Sequence, residues 1–202
     1  MQYVGLDFET ANSAPESACS IGVGVFGQDK LQQETEMLIK PPAGFDQFHR
    51  FNTYIHGIHK QDVENAPRFD QIWPRVQQTI EGNLIICHNA AFDIQVLRRL
   101  LRYYQLDFNP FYYICTVKIS QKVWPEMENH KLNTVSHHLK ISLHHHHAAS
   151  DAIAAGYIFL KALEETGSKD VFELAKLLGL QVGYVSSDQE IKCSVKRKSN
   201  KK

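Results

Sequence analysis

The order of apolar runs predicts an α/β protein. It would be built on a mixed five-stranded sheet, an antiparallel meander followed by parallel strands, with helices packed on its faces. Three observations carry this expectation. Three strand-like runs follow one another closely between Tyr3 and Ile39. Beyond residue 68, helical and strand-like periodicities alternate. Finally, 43% of the 202 residues are hydrophobic and 22% charged, which suits a soluble chain with one sizeable core.

Tyr3 to Phe8 reads as the first strand, and Ser20 to Phe26, with interleaved glycines, as the second. The turn-like Gly27–Lys30 leads into a third, Leu31 to Ile39. Pro41 and Pro42 end it, because consecutive prolines deny a ladder its N–H donors. Ile72, Val76 and Ile80 then recur at helical spacing, and Leu84–Cys87 is a short apolar strand. In the next helix Phe92, Val96, Leu97, Leu100, Leu101 and Tyr104 form one wide apolar stripe, which assigns Phe92 to the core. Tyr112–Cys115 is the fifth strand. Leu132 to Leu139, Asp151 to Leu163 and Val171 to Leu178 read as helices, the last stopped by Gly179.

One domain over residues 1–182 is expected, followed by a basic, flexible tail over 183–202. Six of the 22 Lys and Arg residues fall between Lys192 and Lys202, leaving 16 basic against 22 acidic residues before them. Such an arm is either a solvated terminus or an attractor of phosphates. No run approaches the roughly 18 apolar residues of a membrane span, and no signal peptide is expected, since the chain enters a strand at once. The four cysteines, Cys19, Cys87, Cys115 and Cys193, form no CxxC pair. A reduced, cytoplasmic chain without a membrane partner is the expectation.

Three polar patches interrupt the apolar pattern. Asp7 and Glu9 alternate with Phe8, so both acids face one side of the first strand, where unpaired carboxylates are costly. Either that strand is a solvated edge or the acids hold a hard cation. His88, Asn89 and Asp93 follow the Leu84–Cys87 strand; alone, Asn89 reads as a helix cap and Asp93 as an acid near a positive helix end. The third patch, HHHHAASDA over 144–152, sets a histidine run before Asp151 at a helix opening. Its internal position argues against a tag, and without cysteine partners it is weak evidence for zinc.

Together, Asp-x-Glu, His-Asn-x-x-Phe-Asp and His-x4-Asp resemble the DEDDh family of 3′–5′ exonucleases, over residues 3 to about 165. Ile55–Pro67, IHGIHKQDVENAP, is similar to that family's His-Gly-Ile segment. The likeness is strongest to the proofreading epsilon subunit of bacterial DNA polymerase III and epsilon-like exonucleases. Cys115-Thr116 departs from the Asp-Thr of many members, at a position outside the catalytic acids.

The resemblance implies a ribonuclease H-like fold and a site with two divalent cations, Mg²⁺ or Mn²⁺. Asp7 would bridge both, Glu9 and Asp151 would complete one position, and Asp93 would support the other. The implied general base is His146, five residues before Asp151; His147 would take the role if the helix opened a turn earlier. Phe8, Thr10 and Ala11 would touch the 3′-nucleotide, and Asn89 the backbone or the attacking water. The implied substrate is single-stranded DNA or a 3′ DNA terminus, with a proofreading or repair role and a polymerase partner for proofreading. Alternatives are an RNA-trimming or oligoribonucleotide exonuclease, a non-catalytic nucleic-acid-binding module, and a metal-binding protein using residues 144–147.

Overall fold

The computed structural model of the chain describes residues 2–27 and 29–196. Three strands, β1 (Tyr3–Thr10), β2 (Ala18–Phe26) and β3 (Leu31–Leu38), form the antiparallel meander. Helices α1 (Arg50–His56) and α2 (Phe69–Ile80) follow, then β4 (Leu84–Cys87), α3 (Ala90–Tyr103), β5 (Phe111–Cys115) and α4 (Thr116–Val123). Next come α5 (Leu132–His138), α6 (Ala148–Thr166) and α7 (Val171–Leu178). Four short strands complete the described chain: β6 (Leu180–Gln181), β7 (Gly183–Val185), β8 (Glu190–Ile191) and β9 (Ser194–Val195).

The main sheet runs β3-β2-β1-β4-β5-β7-β8. β4 pairs parallel to both β1 and β5, so the expected five strands are present with the expected directions. Two further strands extend the sheet: β7 pairs antiparallel to β5, and β8 to β7. β6 and β9 form a separate two-stranded ribbon. The stretch from Gly183 to Val195, expected as flexible tail, is therefore strand-forming. Tyr113 Oη accepts the Cys193 N–H at 3.2 Å, and Arg98 is paired with Glu190. The basic residues Arg197–Lys202 lie outside the described residues. Among the described residues, no helix is long and apolar enough to cross a membrane.

Burial explains the layers. β4 is buried along its whole length, as a parallel strand covered on both faces must be. On one face, Leu6, Phe8, Phe69, Trp73 and Leu97 share a core with the buried sides of α2 and α3. On the other, α6 lies across β1, β2 and β4, with Ala152, Ala155 and Phe159 against the sheet. Its run of alanines permits a close approach. Gly179 ends α7 in the left-handed conformation (φ 65°), and Asp170 caps its start by accepting the N–H groups of Phe172 and Glu173.

Candidate active site

Strand alternation divides β1 into two faces. Val4, Leu6 and Phe8 enter the core, with the Phe8 ring 6.4 Å from that of Phe69. Tyr3, Gly5, Asp7 and Glu9 occupy the α6 side, where the Tyr3 ring meets Phe159 edge-on at 4.9 Å. Gly5 lies on β1, and Gly22 of β2 is the register partner of Asp7. Both leave room for the helix. A Cβ on Gly5 would stand 2.0 Å from the Ala152 carbonyl oxygen, and one on Gly22 would stand 2.0 Å from the Ala148 carbonyl. α6 thus rests on bare backbone, and Asp151, in its first turn, comes down beside β1. One oxygen from each of Asp7, Glu9 and Asp151 lies within 4.8 Å of the others.

Asp93 stands apart from that triad, in the first turn of α3. Only 1% exposed, it accepts the Phe8 N–H through Oδ1 at 3.0 Å. Its Oδ2 is buried and, among the described residues, has no hydrogen-bond partner. The triad opens into a hollow of about 510 Å³ at the carboxyl ends of β1 and β4. Asn89 and Phe92 line it at the start of α3, Gln121 lines it from α4, and His130 and Lys131 line it beyond that helix.

The charges are poorly compensated. Burial, then Asp93 and Glu9, raises the Asp7 carboxyl well above the usual carboxylate range. Burial, followed by Asp151, pushes Glu9 up to about 8. Burial also raises Asp93 and Asp151, the latter partly offset by His145 and His146. Among the described residues, no Lys or Arg pairs with any of the four. A divalent cation answers both this excess and the orphan Asp93 Oδ2, and an all-oxygen donor set suits Mg²⁺ or Mn²⁺.

The histidines are arranged differently from the expected single base. His146 lines the hollow, and its N–H donates to Asp151 Oδ2 at 3.2 Å. Its ring is held below the usual histidine range, first by burial and then by His145. Spacing does not point to His145, yet its Nδ1 sits 3.1 Å from Asp151 Oδ2, and its ring stacks on His146 with centroids 3.7 Å apart. His146 has φ 67°, a left-handed backbone that brings two successive side chains to one carboxylate. His147 instead caps α6 and pairs with Glu36 on β3. His88 is held between Thr116 Oγ1 and the His130 carbonyl, with burial lowering it to about 4.

Not all the residues expected to touch the substrate stand in the hollow. Thr10 and Ala11 do not line the hollow. A register shift between Glu9 and Thr10 turns the chain away, Ala11 enters a core with Cys19 and Val63, and the Thr10 carbonyl accepts Asn52 Nδ2. The Phe8 ring is 1% exposed, so this residue serves the site through its backbone N–H. Asn89 lines the hollow as expected, but in a left-handed conformation (φ 72°) and without a side-chain cap bond. Phe92, assigned to the core by its place in the stripe, is 40% exposed in the hollow.

Comparison with known proteins agrees with this geometry. The model of the RNase_T family, described as an exonuclease family, matches residues 4–159. The chain is 27% identical over 183 residues to a PolC-type DNA polymerase III of Caldanaerobacter subterraneus subsp. tengcongensis, covering 88% of this chain and 13% of that one. It is also 27% identical over 189 residues to the 3′-5′ exonuclease DinG of Bacillus subtilis, covering 92% of this chain and 20% of that one. The chain therefore spans about an eighth to a fifth of the length of these two relatives. Among solved structures, exonuclease X in complex with 5′ overhanging duplex DNA superposes with a TM-score of 0.69 at 19% identity, covering 88% of this chain and 99% of that one. The nuclease domain of 3′hExo, a DEDDh family member bound to rAMP, gives 0.66 at 17%, covering 81% and 92%.

Proposed function

The chain belongs to the RNase_T exonuclease family, and on that premise we propose that it removes nucleotides from the 3′ end of a DNA strand by metal-dependent phosphodiester hydrolysis. The observation that carries the reading is the convergence of the Asp7, Glu9 and Asp151 carboxylates in an open hollow, with the unpartnered Asp93 Oδ2 buried behind β1. Two cations of the Mg²⁺ or Mn²⁺ class, when bound, would neutralise the phosphodiester, ease deprotonation of the attacking water and stabilise the departing 3′-oxygen. Asp7, Glu9, Asp151 and Asp93 are the residues that would hold them.

The remaining roles belong to the protein alone. His146, held neutral by burial, keeps a ring nitrogen free to take the proton of the water. The exposed face of Phe92 offers a surface on which the terminal base stacks. Asn89 and Lys131, on the walls of the same hollow, supply donors to the phosphates. The PolC-type relatives support a proofreading or repair setting, in which a polymerase would deliver the strand end. An RNA 3′ end is the second reading, favoured by the similarity to a nuclease domain bound to rAMP.

Matched 5′-labelled DNA and RNA single strands, incubated with Mg²⁺, Mn²⁺ or EDTA, test both readings. A ladder shortening from the 3′ end and abolished by EDTA is expected, faster on DNA. Shortening from the 5′ end, or intact strands with either cation, would overturn the proposal. Faster trimming of RNA would select the second reading.

A further inference from the structure

The histidine run contributes more than a base. His145 and His146 bring ring nitrogens to the same carboxylate, and one donor atom from each of His145, His146 and Asp151 lies within 4.8 Å of the others. Oxygen-only sets suit Mg²⁺, whereas imidazole nitrogens favour borderline-soft ions such as Zn²⁺. In tetrahedral coordination, with metal–ligand distances of about 2.0–2.1 Å, neighbouring donors stand roughly 3.3–3.4 Å apart. His145 Nδ1 and Asp151 Oδ2, at 3.1 Å, are near that spacing already.

We propose that His145, His146 and Asp151 form a nitrogen-rich site for Zn²⁺, overlapping the oxygen site through Asp151, and that Zn²⁺ there switches the enzyme off. Two observations beyond proximity support it. In an extended segment, successive side chains diverge; here the left-handed backbone at His146 places both rings on one side, a conformation costing about 1–2 kcal/mol. The rings stack 3.7 Å apart with planes 19° from parallel, so they must splay for both to reach one ion. Among the described residues, the only ring hydrogen bond resisting this is that of His145 to Asp151, which the metal would replace.

The switching part rests on the proposed exonuclease reading; the binding part does not. A ring nitrogen whose lone pair is given to Zn²⁺ cannot also accept a proton from water. Occupancy of the nitrogen site therefore removes His146 as a base, and takes Asp151 from the set that holds Mg²⁺.

Isothermal titration calorimetry of the full chain with ZnCl₂, and separately with MgCl₂, tests this by opposite effects of two variants. His145→Ala is expected to weaken Zn²⁺ binding by at least about tenfold and leave Mg²⁺ binding within about twofold. Asp7→Asn, in the oxygen triad only, should do the reverse. His144→Ala is the control for adventitious binding to the run, and His145→Gln keeps a polar side chain at this exposed position should the alanine variant misfold. Zn²⁺ affinity unchanged in both His145 variants, or reduced equally by His144→Ala, overturns the site. In hydrolysis assays with Mg²⁺, Zn²⁺ should inhibit, and His145→Ala should raise the inhibitory concentration by the same factor as its loss of affinity. Zn²⁺ bound through His145 without inhibition would overturn the switch, while an inactive chain that still shows the calorimetric pattern would overturn the exonuclease reading alone.

Discussion

Replacing Gly22 by alanine is the most direct test of how Asp151 reaches its place. The new Cβ would stand 2.0 Å from the Ala148 carbonyl carbon and oxygen, where ordinary contact begins at 3.4 Å. Neither partner can swing aside, because one is a central strand and the other the backbone of a helix whose Ala152, Ala155 and Phe159 are buried on the sheet. α6 must retreat by more than about 1 Å, a cost at the upper end of the roughly 1–3 kcal/mol of overpacking. The stiffer unfolded chain returns about 0.4–1 kcal/mol, leaving a net loss of about 2 kcal/mol. Gly24→Ala on the same strand is the comparison. Its nearest neighbours are the side chains of Ile153 at 3.1 Å and Phe26 at 3.2 Å, so it should cost less than about 1 kcal/mol. Neither glycine has positive φ, so space alone distinguishes them. Urea unfolding in EDTA gives the stabilities, and Mg²⁺ calorimetry reports the displacement of Asp151 as weaker binding in Gly22→Ala only. Equal effects at the two positions would refute the reasoning.

Three further outcomes are expected. Without metal, stability should be highest in acid: carboxyls whose folded pKa is raised favour the fold fully below their unfolded values near 4, and that contribution is lost as pH rises through the folded value, about 8 for Glu9. Urea midpoints should therefore fall between pH 5 and 8 and recover with Mg²⁺; a flat profile would show the acids to be compensated already. Asp93→Asn keeps an acceptor for the Phe8 N–H, so it should fold with at least native stability yet lose cation binding. Asp93→Ala strands that N–H and should cost about 1–3 kcal/mol, measured by the same unfolding assay. His146→Ala should lose most single-turnover activity, on the order of 10²-fold, while His147→Ala, whose ring pairs with Glu36, stays active; swapped phenotypes would reassign the base.

The parts of this site visible in the sequence are those set by local periodicity. Alternation placed Asp7 and Glu9 on one face, and the stripe on α3 located Asp93 in its first turn. Phe92 follows the same stripe but misleads, because a helix's first turn can overhang a hollow where later turns meet the core. Thr10 and Ala11, suggested by the resemblance alone, stand away from the hollow because the chain turns at the register shift after Glu9, which no local pattern reveals. Spacing to Asp151 selected His146, but no count reveals the left-handed backbone that adds His145. α1 buries none of its residues and so shows no periodicity to read. β7 and β8 are too short to be seen before β5 is known to offer them an edge.

The hydrogen bond between Asp93 and the Phe8 amide fastens α3 to the strand that carries Asp7 and Glu9, while the glycine seats fasten α6. All four carboxylates thus belong to one stiff frame, but the two imidazoles hang from the irregular segment 140–147. On the proposed reading, affinity for Mg²⁺ at the oxygen site would be preset, whereas proton removal would wait on where that segment settles. Solvent viscosity or a proline introduced there should alter turnover and leave Mg²⁺ uptake as it was.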